Sequence, residues 1–175
     1  MNENIFADHV EEASTHAVPR AFQTIVFGGL TVGTLDGLAA TINAGIKGIG
    51  PDRVFHYVAS GLIGRDASYD GGAATVMLGI LLHFTIAFGV FTVFYLLSRR
   101  FPVLLHHAVI FGMMYGVAVY SAMGYVIVPL SAVPKSPFSL SGMITGIVIH
   151  MFCVGLPAAL VARRSLKGLP VVNNA

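Results

Sequence analysis

Long apolar runs alternate with short polar segments along the chain, and four of the runs are long enough to cross a membrane. They cover approximately residues 21–47, 71–98, 101–133 and 138–162. Each exceeds the ~20 residues that a helix needs to cross a hydrocarbon core about 30 Å thick. None shows the polar face that a helix of a soluble bundle would carry. The pattern therefore predicts an all-α polytopic membrane protein, a bundle of four transmembrane helices.

The polar segments define the remaining parts of the chain. We expect a polar N-terminal tail, a transmembrane domain and a C-terminal tail at residues 1–20, 21–165 and 166–175. The N-terminal tail carries four acidic residues and has neither the cationic region nor the cleavage site of a signal peptide. The first span is therefore expected to stay in the mature protein.

The first loop contains a helical pattern of its own. In GPDRVFHYVASGLIG, Pro51 suits the first turn of a helix and Gly64 suits its end. Val54, Val58 and Leu62 fall on one face of that helix. The segment predicts a short amphipathic helix at the outer membrane surface, with a water-exposed helical loop as the alternative.

Composition and charge agree with a membrane location. The chain is 55% hydrophobic and 10% charged, whereas soluble domains carry about 25% charged residues. Basic residues flank the span ends, six on the side of the two termini and four on the other. They are Arg20, Arg99, Arg100, Arg163, Arg164 and Lys167 on the first side, and Lys47, Arg53, Arg65 and Lys135 on the second. The positive-inside rule therefore favours cytoplasmic termini.

Small residues recur at four-residue spacing in every run, a pattern that lets membrane helices approach closely. One such pair indicates little, but four parallel stripes indicate the faces that meet inside the bundle. The glycines expected to pack the helices together are Gly29, Gly33, Gly37, Gly79, Gly112, Gly116, Gly142 and Gly146.

Polar side chains on or beside these faces are predicted to share one layer of the membrane. Asp36 is the only acidic residue in the interiors of the runs, and it lies next to the stripe that contains Gly33. At ~1.5 Å per residue, Asp36 and His83 each lie about 24 Å from the basic end of their helix. His150 and Tyr115 lie about 20 Å from the same end of theirs. The sequence therefore predicts that these four side chains meet.

Such a layer is expected to handle protons or ions. A charged Asp at the bilayer centre costs roughly 2.5–3.5 kcal/mol on insertion scales, so Asp36 is expected to be paired or protonated. Burial disfavours the charged forms of Asp and His, whereas contact between them favours those forms, so such a pair is suited to proton exchange near neutral pH. The leading hypothesis is proton- or ion-linked transport. The alternative is a neutral, hydrogen-bonded Asp in an assembly or scaffold subunit that transports nothing.

The two histidines leave further alternatives open. His83 and His150 occupy matching positions on two helices, as the axial ligands of a haem b in a membrane cytochrome would. Together with Asp36 they also resemble a transition-metal ligand set. Histidines that hydrogen-bond between helices need no cofactor or metal, and we expect none here.

Motifs of known enzymes are missing from the chain. It contains no HExxH, P-loop or GxSxG motif, and TLDG is not the GxGD of intramembrane aspartyl proteases. We therefore expect a protein that is not an enzyme. A net charge of +2 is too small to indicate a nucleic-acid partner, and the lipid bilayer is the expected environment. A homo-oligomer is also expected, because four helices enclose little room for a pathway.

Five sequence blocks follow one another from about residue 25 to residue 164. They are GTLDGLAATI, VASGLIG, LGILLHFTIAFGVFTVFYLLSRR, GYVIVPLSA and GIVIHMFCVGLPAALVARR. In this order they resemble an uncharacterised group of bacterial membrane proteins with four helices. The resemblance implies a multi-pass protein of the bacterial inner membrane. It implies no activity, ligand or catalytic residue, because none is established for the group.

Overall fold

Helices make up the regular secondary structure throughout the described part of the chain, which confirms the all-α class. The structure, a computed structural model, describes residues 3–134 and 137–166. The helices are α1 (Glu3–Ile46), α2 (Pro51–Ile63), α3 (Arg65–Asp70), α4 (Gly72–Arg100), α5 (Val103–His106), α6 (Ala108–Leu130) and α7 (Leu140–Leu166). Because α1 begins at Glu3, the segment predicted as a polar tail continues into the first span as one helix. Lys135, Lys167 and most of the predicted C-terminal tail lie outside the described residues.

Four of these helices are long and apolar enough to cross a membrane, as the four-helix prediction requires. The spanning segments are Arg20–Ile46, Gly72–Arg100, Ala108–Leu130 and Leu140–Leu166. The third is shorter than the predicted 101–133, because the backbone leaves the helical region at His107 (φ −109°, ψ 47°). The fourth begins at Leu140 because the Ser139 hydroxyl oxygen caps the helix by accepting the N–H of Gly142 over 3.2 Å.

The spanning helices form two pairs that are joined through α7. Helix α1 packs along α4, and α6 packs along α7. Helix α7 also contacts both α1 and α4. Helix α7 therefore packs along α6 and also against both helices of the other pair.

The two ends of the bundle are packed differently. The arginine end is the end at which Arg20, Arg99 and Arg163 lie, and the loop end is the opposite one, which carries α2, α3 and the turn between α6 and α7. The buried core extends toward the arginine end. Its members there include Phe91, Phe94, Tyr95, Ala108, Ala158, Ala159 and Ala162. The small alanines of α7 permit close helix contact, so the arginine end is closed.

Glycines of α1 accept aromatic side chains from α4. A Cβ atom added at Gly29 would overlap the ring of Phe88, and one added at Gly33 would overlap the ring of Phe84. The helices of this pair are thus separated by the thickness of a side chain.

Glycines of α6 and α7 instead bring two backbones into direct contact. A Cβ atom at Gly116 would overlap the carbonyl of His150, and one at Gly155 would overlap the carbonyl oxygen of Gly112. Any side chain at these positions would force the two helices apart.

The remaining packing glycines have different neighbours. Gly79 of α4 faces the backbone of Phe55 in α2, and Gly146 of α7 faces the ring of Tyr120. Gly142 contacts only the residue that caps its own helix among the described residues, because it lies where α7 begins at the loop end. Its predicted packing against another span is therefore replaced by a position in the lining of a cavity.

Helices α6 and α7 each contain a π-helical segment that ends two residues before a proline. The segments are Met123–Ile127 before Pro129 and His150–Gly155 before Pro157. Proline has no N–H, and its ring crowds the carbonyl four residues earlier. The wider π turn supplies a donor five residues on, as where the Leu156 N–H donates to the carbonyl of Met151. Such segments occur often at functional sites.

The helix predicted in the first loop is present as α2. It ends at Gly64, whose φ of 79° favours glycine. It packs against α4, and Ala59 and Ser60 are completely buried (0% exposed). The alternative of a water-exposed loop does not fit these buried residues.

Candidate functional site

A cavity of about 1250 Å³ lies in the loop-end half of the bundle. Residues of α1, α2, α4, α6 and α7 line it, together with the turn between α6 and α7. Val32, Ala87, Val119 and Val154 belong both to this lining and to the buried core. The packed core is therefore the floor of the cavity, and it separates the cavity from the arginine end.

Three of the four polar residues predicted to share a layer line this cavity. They are Asp36 on α1, His83 on α4 and His150 on α7, and all three are half-buried. They do not form a hydrogen-bonded cluster. The hydrogen bonds of both histidines go to backbone carbonyls, and none joins Asp36 to either ring in the part of the chain described.

His83 is held against α1 in one tautomer. Its Nε2 lies 2.8 Å from the carbonyl oxygen of Gly33, and because a carbonyl only accepts, Nε2 carries the hydrogen. The absence of a side chain at Gly37 makes room for the ring, which also meets the edges of Phe55 and Phe84 at centroid distances of 6.2 and 5.5 Å. In the neutral ring, Nδ1 is the nitrogen that remains able to take up a proton.

His150 is held in the opposite tautomer. Its Nδ1 lies 2.9 Å from the carbonyl oxygen of Gly146, so Nδ1 donates and Nε2 is the proton acceptor of the neutral ring. The ring meets Tyr120 edge-on, with 5.4 Å between the centroids. Since His150 begins the π-helical segment of α7, a change in that segment would move this side chain.

Asp36 lines the cavity from α1. The neighbouring Gly33 and Gly37 are the residues that meet α4. Asp36 therefore lies beside the face that binds His83, and the two side chains flank the cavity from different walls.

Tyr115 is not part of this layer, contrary to the prediction. Its hydroxyl donates a hydrogen bond to the carbonyl oxygen of Val90 over 2.8 Å, and its ring packs on Phe94 with 4.9 Å between centroids. It therefore joins α6 to α4 outside the cavity lining. Its hydroxyl meets α4, and the residue is absent from the lining of the cavity.

Tyr120 takes the place that was predicted for Tyr115. It lines the cavity and packs over Gly146 and against His150. A pattern in the sequence points to it, because Tyr120 continues the four-residue spacing of Gly112 and Gly116, which are the residues that face α7.

Two basic residues line the cavity at the loop end. Lys47 follows the end of α1, and Arg53 lies in the first turn of α2, with its guanidinium carbon 5.6 Å from the ring centroid of Tyr69. Burial, and then the neighbouring Tyr69, raise the pKa of Tyr57 in the same wall, so this phenol stays neutral at physiological pH. We call this part of the lining the mouth; it contributes two cations, while Asp36 is the one acidic residue among the described residues of the lining.

A buried polar network fixes α2, α3 and α4 at the mouth, and the sequence analysis did not identify it. His56 is 6% exposed, and its Nδ1 lies 3.1 Å from the Thr75 hydroxyl. The Thr75 hydroxyl has one hydrogen and donates it to a carbonyl, and its oxygen lies 2.7 Å from the carbonyl oxygen of Ser68. The imidazole is therefore the donor in the bond between His56 and Thr75. The Ser68 hydroxyl in turn donates to the His56 carbonyl. The network holds in place the helix that carries Arg53.

The residues of the cavity do not fit a haem or another metal. No group of three His, Cys, Asp or Glu side chains lies close enough to hold a metal ion within residues 20–134 and 137–166. A bis-histidine haem needs two imidazole nitrogens that approach one iron, and Nε2 of His83 is bound to the Gly33 carbonyl. The hydrogen bonds of both rings go to backbone carbonyls of the helices instead.

No protein-family model, no curated protein and no solved structure matches the chain. The resemblance to a bacterial group of membrane proteins stays a prediction from the quoted sequence blocks. What the cavity is able to bind or transfer follows from the residues that line it.

Proposed function

We propose that the protein is a proton-linked transporter of the bacterial inner membrane. One observation carries the proposal: three titratable side chains from three helices line one cavity, which extends to Lys47 and Arg53 at the loop end and is bounded by packed core toward the arginine end. A carrier in one state of an alternating-access cycle has such a site, accessible from a single side of the membrane.

The proton-handling groups in this proposal are Asp36, His83 and His150. The tautomers leave Nδ1 of His83 and Nε2 of His150 as acceptors, and each ring keeps its backbone hydrogen bond after it takes up a proton. Asp36 is the one acidic residue of the described lining and supplies a negative charge to the site. An intramembrane carboxylate of this kind is by default a functional residue.

Movement is assigned to the π-helical segments. Met123, Tyr125 and Ile127 of the first segment, and His150 and Val154 of the second, line the cavity. Conversion of either segment to regular α-helix would rotate these side chains and change the shape of the cavity. Gly124 has open space around it, so the α6 wall has room for such a change.

Orientation in the membrane follows from charge. The arginine end is assigned to the cytoplasm by the positive-inside rule, so the cavity of this state opens to the periplasm. A single chain forms the whole cavity, and the proposal does not require a homo-oligomer.

Proton uptake into proteoliposomes that contain a pH-sensitive dye tests the proposal. With a membrane potential as the driving force, the wild-type protein should acidify the lumen faster than protein-free liposomes do. Asp36→Asn should remove this difference, because the amide keeps the size of the side chain and takes up no proton. Asp66→Asn is the matched control, since this exposed acid on α3 lies outside the lining. Undiminished uptake by a folded Asp36→Asn protein would contradict the proposal.

A further inference from the structure

We infer that the ligand of the cavity is a single-chain amphipathic anion, with its acidic group at Lys47 and Arg53 and its hydrocarbon chain extended toward Asp36. The inference rests on the proposed function, for which it names the class of substrate. It depends on the separation of charge within the lining, where the cations lie at the mouth and the polar layer lies deeper.

The distance between the Lys47 and Arg53 region and the polar layer at Asp36 is much greater than the diameter of a small ion. Lys47 and Asp36 belong to the same helical stretch and lie about 16 Å apart along its axis at ~1.5 Å per residue. Asp36 is too far from Lys47 to neutralise it. An anion of the ligand is the natural partner of these two cations, which line the cavity from the end of α1 and from α2.

The walls between these regions are mainly apolar. Val54 and Val58 of α2 and Val128 of α6 line the cavity here, and Asn43 is the polar lining residue of α1 between Asp36 and Lys47. A hydrocarbon chain gains contact with these apolar side chains, whereas a hydrophilic ligand gains few partners from them. The volume of about 1250 Å³ also exceeds the usual range for compact small-molecule sites, about 300–1,000 Å³.

Chemistry at the mouth favours a carboxylate or a phosphate monoester over an uncharged headgroup. The Arg53 guanidinium presents paired N–H donors that match two oxygens of such a group, and the Lys47 ammonium adds a second charge. The phenols of Tyr57 and Tyr69 border the same region. Fatty-acid carboxylates are the simplest ligands with this chemistry.

Photo-crosslinking tests the inference. The probe is a twelve-carbon fatty acid with a diazirine near its methyl end, added to the protein in phosphatidylcholine nanodiscs, with mass spectrometry to locate the adducts. Adducts are expected on Val58, Ile86 and other lining residues. Unlabelled fatty acids should compete with an affinity that rises by up to about fourfold per methylene from eight to twelve carbons.

Substitutions at the mouth make the test specific. The double variant Lys47→Gln/Arg53→Gln should lower the labelling of the cavity at least tenfold. Arg65→Gln is the matched control, because this cation belongs to the same loop region, lies 5.9 Å from the same Tyr69 ring and is absent from the lining. Asp36→Asn should keep full labelling while it loses proton uptake, so that failure of the inference and failure of the proposed function give different results.

Several outcomes would overturn the inference. Adducts confined to lipid-facing residues, or equal labelling of the double variant, would show that the cations do not select the ligand. Competition by acetate or inorganic phosphate as strong as that by laurate would indicate an ion site without a chain site. Loss of labelling in nanodiscs that contain phosphatidylglycerol would assign the site to a two-chain membrane lipid instead.

Discussion

The arginine end and the loop end of this bundle are built from the same four helices, yet one is closed and the other encloses a cavity. At the arginine end, Ala158, Ala159 and Ala162 of α7 are completely buried (0% exposed). At the loop end, Gly124 of α6 has no neighbour within 4 Å of a Cβ position. Small residues thus produce close packing only where the partner helix is also near. A small-residue stripe is necessary for helix contact and does not ensure it.

Tyr115 and Asp36 also differ in whether the described residues supply a hydrogen-bond partner. Tyr115, which lies outside the cavity lining, has a partner for its hydroxyl in the Val90 carbonyl. Asp36 lines the cavity, and in the described residues no side chain binds it. The comparison therefore predicts that substitutions in the packed region change stability, and that substitutions in the cavity change function.

The largest effect on stability is expected for Gly155→Ala. Its Cβ would overlap backbone atoms of Gly112 and Gly116, and backbone does not yield as the end of a side chain does. We expect a loss of about 3 kcal/mol in unfolding free energy, at the upper end of the range for overpacking. Unfolding by denaturant in micelles measures it, with Gly124→Ala as a control that should be neutral or slightly stabilising. Equal effects of the two substitutions would remove the distinction between the ends.

A smaller loss is expected for Thr75→Val. This change leaves Nδ1 of the buried His56 without its acceptor, at a cost of about 2 kcal/mol, within the range for an unsatisfied buried group. Thermal unfolding should show the destabilisation, and labelling by the fatty-acid probe should decrease as α2 loosens. Thr85→Val is the control, because the Thr85 hydroxyl bonds only the carbonyl of Leu81 in its own helix. Retention of wild-type stability by Thr75→Val would contradict a fixed position of α2.

Tyr115→Phe should have a more modest effect. It removes one hydrogen bond between α6 and α4, which contributes about 1 kcal/mol, and it keeps the ring on Phe94. Tyr125→Phe, at a side chain that is 74% exposed, should leave the unfolding free energy unchanged. A loss of proton uptake in a stable Tyr115→Phe protein would return this tyrosine to the proton-handling layer.

The smallest effect on stability is expected for Asp36→Asn. Because no described side chain binds the carboxylate, the change in unfolding free energy should stay within about 0.5 kcal/mol, as for substitutions away from stabilising features. The same variant should lose proton uptake completely. Destabilisation by several kcal/mol would instead favour the hypothesis that Asp36 holds the helices together in a scaffold subunit.

Sequence alone predicts the spans well, because the length of an apolar run is a local property. It also predicts that Asp36, His83 and His150 lie at similar depth, since depth follows from counting residues along a helix. Counting residues could not show that Tyr120 lines the cavity and Tyr115 does not. The direction in which a side chain points around the helix axis depends on which neighbour the helix meets. Nor could the cavity be predicted, since it results from the divergence of whole helices toward the loop end.

The π-helical segments have a similar explanation. Pro129 and Pro157 are visible in the sequence, but proline in a membrane helix has several solutions, among them a kink, a break or a wider turn. Which one forms depends on packing around it. In α7 the backbone of His150 lies directly against Gly116, and this contact favours the π turn over an open kink.

The opposite tautomers of the two histidines have a consequence for choosing amide isosteres. A glutamine places its terminal NH₂ near the position of Nε2, so His83→Gln retains the donor to Gly33 while it abolishes the basic nitrogen. Asparagine matches Nδ1 instead, and His150→Asn is the equivalent replacement for the bond to Gly146. If the two amides were exchanged, so that asparagine replaced His83 and glutamine replaced His150, neither NH₂ group would lie where the hydrogen-bonding ring nitrogen lies. The position of one hydrogen on each ring therefore decides which amide is the correct isostere.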